Sequence, residues 1–465
     1  MNGKIKVGYL PFYIKLYDDS NPHYRDPMVR YMQGLITMLR TQGLDVIEAD
    51  EVCRTRDEFD RAARKFNEAD VDAVITQHLA YSPSLESIDA LLSLRSPIIV
   101  FDTTMDYEVA KVQQYENRIS ANHGIHGVQD MCNLLKRNGH PYYLCVGHAL
   151  HSEVLSEVVG MCRAATAAKT FREEKVGAVG GEFHGMGDFK ISDEQYKKEI
   201  GPTVSYLTPD IAAGYLKQVS DKEVDEDIAG DREHYNVQVK NEDNYRLAAR
   251  SGLAIRKWMA AQGINAVTVN FSHINESGIP KMPFVECCKI LGRGQGYAGE
   301  GDTLTAGLVG ALLSVYPNTT FTEMFIPDWE RDMILLSHMG ESNPNLAQWK
   351  PLVKDMPFNY NSSGDTVAMY NCYRPGSVVL VNLAPMQHGF ALILAQADIV
   401  DMGLERGAYR ESTQGWFKPH MPVAEFLKKY SMAGGTHHSA MVYDGNIEEL
   451  TAFGQMMGFE VVVIR

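Results

Sequence analysis

Long apolar runs and an excess of basic charge are both missing from this sequence. No stretch approaches about 18 uninterrupted apolar residues, the length that a membrane-spanning helix needs. Acidic residues outnumber basic ones by 59 to 44, and no extended Lys/Arg run occurs. Because nucleic acids and anionic membrane surfaces both bind basic faces, we expect no nucleic acid and no membrane as a partner.

Paired cysteines are missing as well. Seven cysteines are scattered along the chain, and no two form a C-x-x-C pair. This pattern predicts reduced, buried thiols in a cytoplasmic protein. The first 15 residues are interrupted by Lys4, Lys6 and Pro11 and offer no small-residue cleavage site, so they predict a first strand and not a signal peptide.

What is present is the composition of a globular enzyme. Apolar residues make up 45% of the chain and charged residues 22%, which excludes a disordered or collagen-like protein. At about 150 residues per domain, 465 residues predict roughly three packed units.

Short β-like runs alternate with helical patterns through the first two thirds of the chain. Residues 5–10 predict a strand and residues 27–42 a helix, and the same alternation resumes at residue 175. Alternation at this spacing indicates βαβ units and parallel sheets. We therefore predict an α/β fold that begins with two Rossmann-like parallel α/β domains, over residues 1–172 and residues 173–316.

The pattern changes after about residue 316. Four β-like runs are separated by turns rich in proline and glycine, at residues 367–373, 377–383, 390–397 and 460–464. We expect no helices between them. An antiparallel sheet or a small barrel fits best, so we predict a mostly antiparallel C-terminal β domain over residues 317–465.

A glycine-rich motif suggests one possible cofactor. Residues 294–299 match the G-x-G-x-x-G pattern of dinucleotide-binding domains, and Glu323 follows about 20 residues later. However, the motif lies late in an α/β unit, and Glu300 and Asp302 would repel a pyrophosphate at the next helix. NAD binding is therefore kept only as an alternative.

Four residues carry side chains suited to a divalent metal ion. Glu300 stands at a glycine-flanked turn, Glu323 interrupts an apolar strand, His338 follows an apolar run, and His438 lies beside His437 in a glycine-rich turn. Carboxylate and imidazole ligands together suit a borderline ion such as Mn²⁺ or Co²⁺. Sequence spacing alone does not bring these residues together, and each by itself is more often a paired or surface group.

The segments around these residues resemble the metal-site motifs of L-arabinose isomerases, in the wider L-fucose/L-arabinose isomerase superfamily. The motifs follow one another in the family's order: YAGEGD at residues 297–302, TEM at 322–324, SHM at 337–339 and GGTHH at 434–438. The resemblance implies that Glu300, Glu323, His338 and His438 bind Mn²⁺, or another divalent ion such as Co²⁺ or Mg²⁺.

The resemblance also implies a substrate pocket and an assembly. The positions that match substrate-binding residues of the family are Gln77, His126, Met186, Met339 and His437. Since the family's counterpart of His126 reaches into a neighbouring subunit's active site, we expect a homo-oligomer, a trimer or hexamer, with the active site at the subunit interface. Residues 11–18 and 325–329 depart from the family's pocket segments.

The predicted function is that of a metal-dependent aldose–ketose isomerase acting on L-arabinose or a related sugar. A divalent ion would bind the C1 and C2 oxygens and stabilise a cis-enediolate, while Glu300 and Glu323 act as the catalytic acid/base pair. Because the pocket segments differ, three alternatives stay open. They are a metal-dependent lyase or aldolase acting on a sugar derivative at the same site, an NAD-dependent oxidoreductase, and a non-catalytic sugar-binding protein.

Overall fold

The computed structural model describes residues 4–110, 118–403 and 412–465. Its contacts divide the chain into a first unit, residues 2–169, and a second unit, residues 170–465. The predicted three domains divide the chain more finely than these two units do, and that organisation stays a prediction.

Two general expectations can be compared with the described part of the chain. All seven cysteines fall within it, and all are buried free thiols. None of the described helices is long and apolar enough to cross a membrane.

The first unit is built around one parallel sheet. Its strands are β1 (Lys6–Phe12), β2 (Asp45–Glu48), β3 (Ala73–His78), β4 (Ile98–Asp102) and β5 (Tyr142–Val146). Its helices are α1 (Lys15–Ser20), α2 (Asp26–Thr41), α3 (Arg56–Glu68), α4 (Ser84–Leu92), α5 (Arg118–Ala121), α6 (Gly124–Arg137) and α7 (Val154–Glu173), whose last residues belong to the second unit. The strands pair in the order β2-β1-β3-β4-β5, all in parallel. Parallel neighbours need crossover connections, which these helices supply.

The second unit opens with another parallel sheet. Its four strands are β6 (Lys175–Val179), β7 (Thr203–Leu207), β9 (Ala266–Val269) and β10 (Gly296–Gly299). A short strand outside this sheet, β8 (Asn236–Val237), lies between β7 and β9 in the sequence. The helices between and after them are α8 (Asp193–Glu199), α9 (Pro209–Gln218), α10 (Asp221–His234), α11 (Glu242–Gln262), α12 (Phe284–Gly292) and α13 (Thr303–Leu313). Four strands pair in parallel in the order β10-β9-β6-β7. The two parallel α/β layers expected from the strand–helix alternation are therefore confirmed.

The rest of the second unit is mainly β-structure. Its strands are β11 (Thr319–Asp328), β12 (Met333–Ser337), β13 (Leu352–Met356), β14 (Thr366–Tyr370), β15 (Gly376–Pro385), β16 (Phe390–Ile399), β17 (Gly415–Pro419), β18 (His438–Tyr443) and β19 (Glu460–Ile464). Six of them close into an antiparallel barrel in the order β15-β18-β11-β12-β17-β16, because β16 also pairs with β15. The predicted small barrel is confirmed. A barrel leaves none of these six strands as a free edge.

The expectation of no helices between the C-terminal strands is wrong. Helix α14 (Val423–Met432) follows β17, and α15 (Ile447–Met457) follows β18. The two helices have 10 and 11 residues, so their apolar spacing extends over about three turns. The strands β15 and β16 are no longer, at 10 residues each, but 10 residues contain about five repeats of the two-residue strand period and only about three helical turns.

Glu174, which directly precedes β6, is buried without a charged partner. It is 2% exposed, and neither carboxyl oxygen has a hydrogen-bond partner among the described residues. The carboxyl group lies against α13, where a Cβ atom built on Gly310 would come within 2.2 Å of Glu174 Oε1. Burial raises the pKa of Glu174 well above its usual value, so the folded chain holds this carboxyl in its neutral form.

Replacing Glu174 by glutamine, which has a similar shape but cannot ionise, should stabilise the chain above neutral pH. The unfolded chain loses this proton at the ordinary glutamate pKa whereas the folded chain keeps it, so the free energy of unfolding falls as pH rises. We expect Glu174→Gln to gain about 1–3 kcal/mol at pH 8 and almost nothing near pH 4, measured by urea unfolding. Glu173→Gln, at the exposed neighbouring position, is the control. Equal stability of all three proteins at pH 8 would contradict the prediction.

Candidate metal centre

Three of the four predicted ligands lie on neighbouring strands of the barrel. The antiparallel register of β11 and β18 places Glu323 directly opposite His438. On its other side Glu323 is opposite Ser337, the last residue of β12, and His338 follows immediately. Directly opposed residues of an antiparallel pair have neighbouring side chains. The pairing of β11 with β12 and β18 therefore brings together residues that are up to about a quarter of the chain apart.

Glu300 reaches the same point from the parallel sheet. It follows β10 and has a φ angle of 63°, in the left-handed region that non-glycine residues rarely adopt. Gly301 next to it has a φ of 83°, and a Cβ atom there would come within 2.4 Å of the Gly181 carbonyl oxygen. A strained backbone of this kind costs about 1–3 kcal/mol and is typical of functional sites.

The four side chains converge on one point. Each of Glu300, Glu323, His338 and His438 offers one ligand atom, and these atoms all lie within 4.8 Å of one another. Glu323 Oε1 is 2.8 Å from His338 Nε2 and 3.0 Å from His438 Nε2. Glu300 Oε2 is 3.4 Å from His438 Nε2. Three of the residues are buried and Glu323 is half-buried.

The central atoms fit a cation better than they fit one another. Glu323 Oε1 and His438 Nε2 are buried and have no hydrogen-bond partner among the described residues, although they face each other. Buried polar atoms are normally satisfied, so an unsatisfied pair indicates a missing partner. Two carboxylates and two imidazoles form a donor set that a borderline divalent ion accepts.

A second set of side chains holds the outer nitrogens of the two histidines. His438 Nδ1 donates to Asp302 Oδ2 at 2.9 Å, and His338 Nδ1 forms an ion pair with Glu341 Oε2. Tyr297 donates its hydroxyl hydrogen to the other oxygen of Glu341. Such partners fix the tautomer of a ligating histidine and point its other nitrogen inwards.

Aromatic rings cover the two histidines. The Phe321 ring lies 5.0 Å from the rings of both His338 and His438, measured between centroids. Phe189 stacks on His438 at 4.8 Å with the ring planes 10° apart. These rings exclude water from one side of the cluster, which strengthens electrostatic interactions within it.

The carboxylates are held in their charged form. Burial by itself would raise the pKa of Glu300, but the neighbouring imidazoles of His437 and His438 outweigh it and lower this pKa to about 2. The pKa of Glu323 is lowered in the same way by adjacent imidazoles. Both acids are therefore ready to bind a cation at neutral pH.

The histidines respond in the opposite direction. Burial would lower the pKa of His338, but the Glu341 and Glu323 carboxylates raise it to about 10. Contacts with Asp302 likewise overcome burial and raise the pKa of His438 well above its usual value. Without a metal ion, both rings therefore carry an extra proton that a metal must displace.

The remaining predicted site residues fall in several places. Met186 and Met339 are half-buried, and His437 precedes the ligand His438 with its Nε2 3.8 Å from Glu300 Oε2. Gln77 is buried and His126 is exposed, and both belong to the first unit. A substrate-binding role for these five positions stays a prediction.

Three residues that the ligand predictions did not include contact the cluster, and they are Phe189, Asp302 and Glu341. A fourth, Asp188, contacts His437 beside the cluster. Glu341 could have been found, because it lies three residues after His338. Asp188 carries no such signal, since 249 residues separate it from His437.

The glycine-rich motif has a different structural role from phosphate binding. Residues 296–299 form the buried strand β10, and a Cβ atom on Gly296 would come within 2.3 Å of the Ala306 carbonyl oxygen. This glycine therefore permits close packing of a strand against a helix, a role that glycine has outside phosphate loops.

Comparison with protein families gives two matches that follow each other along the chain. The model of the L-arabinose isomerase central domain matches residues 194–316, and that of the L-arabinose isomerase C-terminal domain matches residues 318–460. Together they cover more than half of the chain.

Full-length relatives agree with these matches. The L-arabinose isomerase of Clostridium beijerinckii is 25% identical over 404 residues, which cover 86% of this chain and 82% of the relative. The enzymes of the same name from Aeromonas salmonicida and Geobacillus kaustophilus are 24% and 25% identical, with 88% and 89% of this chain covered and 84% and 85% of each relative. A solved structure of a periplasmic solute-binding protein of Actinobacillus succinogenes with bound D-allose is 14% identical to this chain. The match covers 67% of this chain and 92% of that protein, and its TM-score of 0.18 is too low to support an inference.

Removing the carboxylate behind His338 should weaken metal binding. Glu341→Gln leaves the side chain's shape but replaces the carboxylate that forms an ion pair with His338 Nδ1. We expect the affinity for Mn²⁺ to fall by about 10- to 100-fold in calorimetric titration. Glu330→Gln, an exposed acid in the same chain segment, should bind Mn²⁺ like the unmodified chain. Equal affinities of Glu341→Gln and the control would show that this contact does not tune the site.

Metal binding should also strengthen as pH rises from 6 to 8. In this range His338 and His438 hold protons that the ion must displace, whereas Glu300 and Glu323 are already ionised. The apparent affinity should therefore increase by roughly tenfold per pH unit for each proton released. Calorimetry in buffers of different ionisation enthalpy counts those protons. An affinity that does not change with pH would contradict the prediction.

Proposed function

Because the chain is an L-arabinose isomerase-like protein, with both the central and the C-terminal domain of that family, we propose that it is a metal-dependent aldose–ketose isomerase acting on L-arabinose or a related sugar. The observation that carries this proposal is the convergence of Glu300, Glu323, His338 and His438 within 4.8 Å. An enzyme that moves a proton between adjacent sugar carbons needs carboxylates beside an electrophile.

The four converging residues would hold Mn²⁺, or another divalent ion such as Co²⁺ or Mg²⁺. Their mix of two carboxylates and two imidazoles supports Mn²⁺ or Co²⁺ over a purely oxygen-liganded ion. When bound, the ion supplies a Lewis acid for the negative charge that develops on the sugar's C1 and C2 oxygens.

The two glutamates would carry the protons that move in the isomerisation. One carboxylate oxygen takes the proton from C2 of the aldose, which leaves a cis-enediolate, and returns it at C1. The hydroxyl proton of the C2 oxygen passes to the C1 oxygen, with the other glutamate as its carrier, and the product is the ketose. Glu323 Oε1 lies between two buried ring nitrogens, whereas Glu300 Oε2 also faces the half-exposed His437. This geometry favours Glu300 as the acid that meets the substrate.

The rest of the pocket would orient the sugar. A small cavity beside Gly301 is lined by Met186 and Phe189 among others, and ligand pockets typically combine such apolar walls with a few polar groups. His437 would hydrogen-bond a sugar hydroxyl, and Met339 would form part of the apolar wall.

We further propose a homo-oligomer, a trimer or hexamer, in which His126 completes the active site of a neighbouring subunit. The support is the match of His126 to the family's pocket segment, together with its exposure on the first turn of α6. We also propose that the protein acts in the cytoplasm, where its seven free thiols would stay reduced.

Ketose formation from an aldose panel tests the function. The purified chain, loaded with Mn²⁺, should convert L-arabinose or a related aldose to the ketose, and chelation of the metal should abolish turnover. Glu300→Gln and His438→Ala should each lower kcat by at least about a thousandfold, since they remove a proton carrier and a ligand. Glu330→Gln is the matched control with normal turnover.

Two other results would overturn parts of the proposal. Stoichiometric metal with cleavage of the sugar into smaller fragments would replace isomerisation by lyase chemistry at the same site. Normal turnover of Glu300→Gln with bound metal would show that the site lies elsewhere.

A further inference from the structure

A loop between β6 and α8 contacts both histidines of the GGTHH motif. Its residue Asp188 accepts two hydrogen bonds on one oxygen, Oδ2: one from the His437 backbone N–H at 2.9 Å and one from His437 Nδ1 at 2.7 Å. The next residue, Phe189, stacks on His438. Two consecutive side chains of one loop therefore act on two consecutive histidines that lie 249 residues further along the chain.

His437 needs such a partner because its surroundings leave it room to turn. Its side chain is 38% exposed, whereas the His438 side chain is 0% exposed and held at Nδ1 by Asp302. Two glycines open the motif, and Gly434 has a φ of 79°. A half-exposed imidazole rotates between rotamers unless a hydrogen bond selects one.

The bond to Asp188 has a defined consequence for the ring. A carboxylate only accepts, so the nitrogen facing it, Nδ1, must be the one that carries hydrogen. Nε2 is then the ring nitrogen left to face the cluster, and it lies 3.8 Å from Glu300 Oε2. The second bond, from the backbone N–H, fixes the carboxylate itself.

We propose that Asp188 is a positioning residue, which holds His437 in the Nδ1–H form and aims Nε2 at the sugar oxygen beside Glu300. This rests on the proposed isomerase function and on His437 as a substrate contact. Asp188 itself touches neither the metal ligands nor the sugar. It acts entirely through the imidazole, in the way that an outer carboxylate orients a catalytic histidine.

Steady-state kinetics of the Mn²⁺-loaded enzyme tests this role. Asp188→Ala should lower kcat by about 10- to 100-fold and change KM by less than about threefold, while metal content stays stoichiometric. Asp188→Asn keeps an oxygen that can accept both hydrogen bonds and should recover most of the lost kcat. Glu194→Ala, which removes an exposed acid on the nearby helix α8, should behave like the unmodified enzyme.

A double-mutant cycle then separates positioning from a merely structural effect. If Asp188 acts through His437, adding Asp188→Ala to His437→Gln should change kcat by less than about twofold. Multiplicative effects of the two substitutions would overturn the proposal. So would a kcat of Asp188→Ala within twofold of the unmodified enzyme, or a loss of bound metal.

Nitrogen NMR of ¹⁵N-histidine-labelled protein reads the ring directly and needs no turnover. The His437 resonances, assigned by their loss in His437→Gln, should report the Nδ1–H form in the unmodified chain and a mixture of forms in Asp188→Ala. If no aldose is converted but this difference is seen, the proposed function fails while the Asp188–His437 coupling stands. Identical histidine spectra of the two proteins would overturn the positioning role.

Discussion

This site depends on one constraint, which is that two carboxylates are buried close to each other and away from water. Glu300 and Glu323 are mostly buried, and their ion-pair partners in the described part of the chain are histidines, not lysines or arginines. Buried like charges are costly unless an opposite charge or a metal ion compensates them. A protonated imidazole supplies that charge in the metal-free chain, and a divalent ion supplies it without needing the protons.

The barrel and the parallel sheet each hold some of these charged side chains in place. The pairing of β11 with β12 and β18 fixes Glu323 and His438 on their strands and His338 directly after β12, so none of the three can move without shifting a strand. Glu300 is attached differently, through a left-handed residue whose neighbour Gly301 fits against Gly181. Rigid elements position functional groups more precisely than loops do. The strained turn at Glu300 is the exception, because it is not part of a regular element. It places the fourth ligand in the cluster from the parallel sheet.

The sequence could predict much of this fold but only part of the site. Alternation of strands and helices was enough for the two parallel sheets, because periodicity is a local property. Ordered motifs marked Glu300 and His338, whereas their meeting depends on the packing of the parallel sheet against the barrel, which is not local. Helices α14 and α15 were not predicted, because the apolar spacing that marks a helix extends over only a few turns in them. The Asp188–His437 contact is invisible in sequence, since a loop and a turn 249 residues apart share no pattern.

Neighbouring residues of one motif acquire different roles because their surroundings differ. His438 begins β18, is fully buried, and uses Nδ1 on Asp302 and Nε2 towards the cluster. His437 lies one residue before the strand. Its own imidazole ring is partly exposed to solvent there, and its Nε2 faces Glu300. A ligand has to be immobile, whereas a group that meets a substrate must be reachable and still aimed. Asp188 satisfies the second requirement at a half-exposed position that packing alone would leave free.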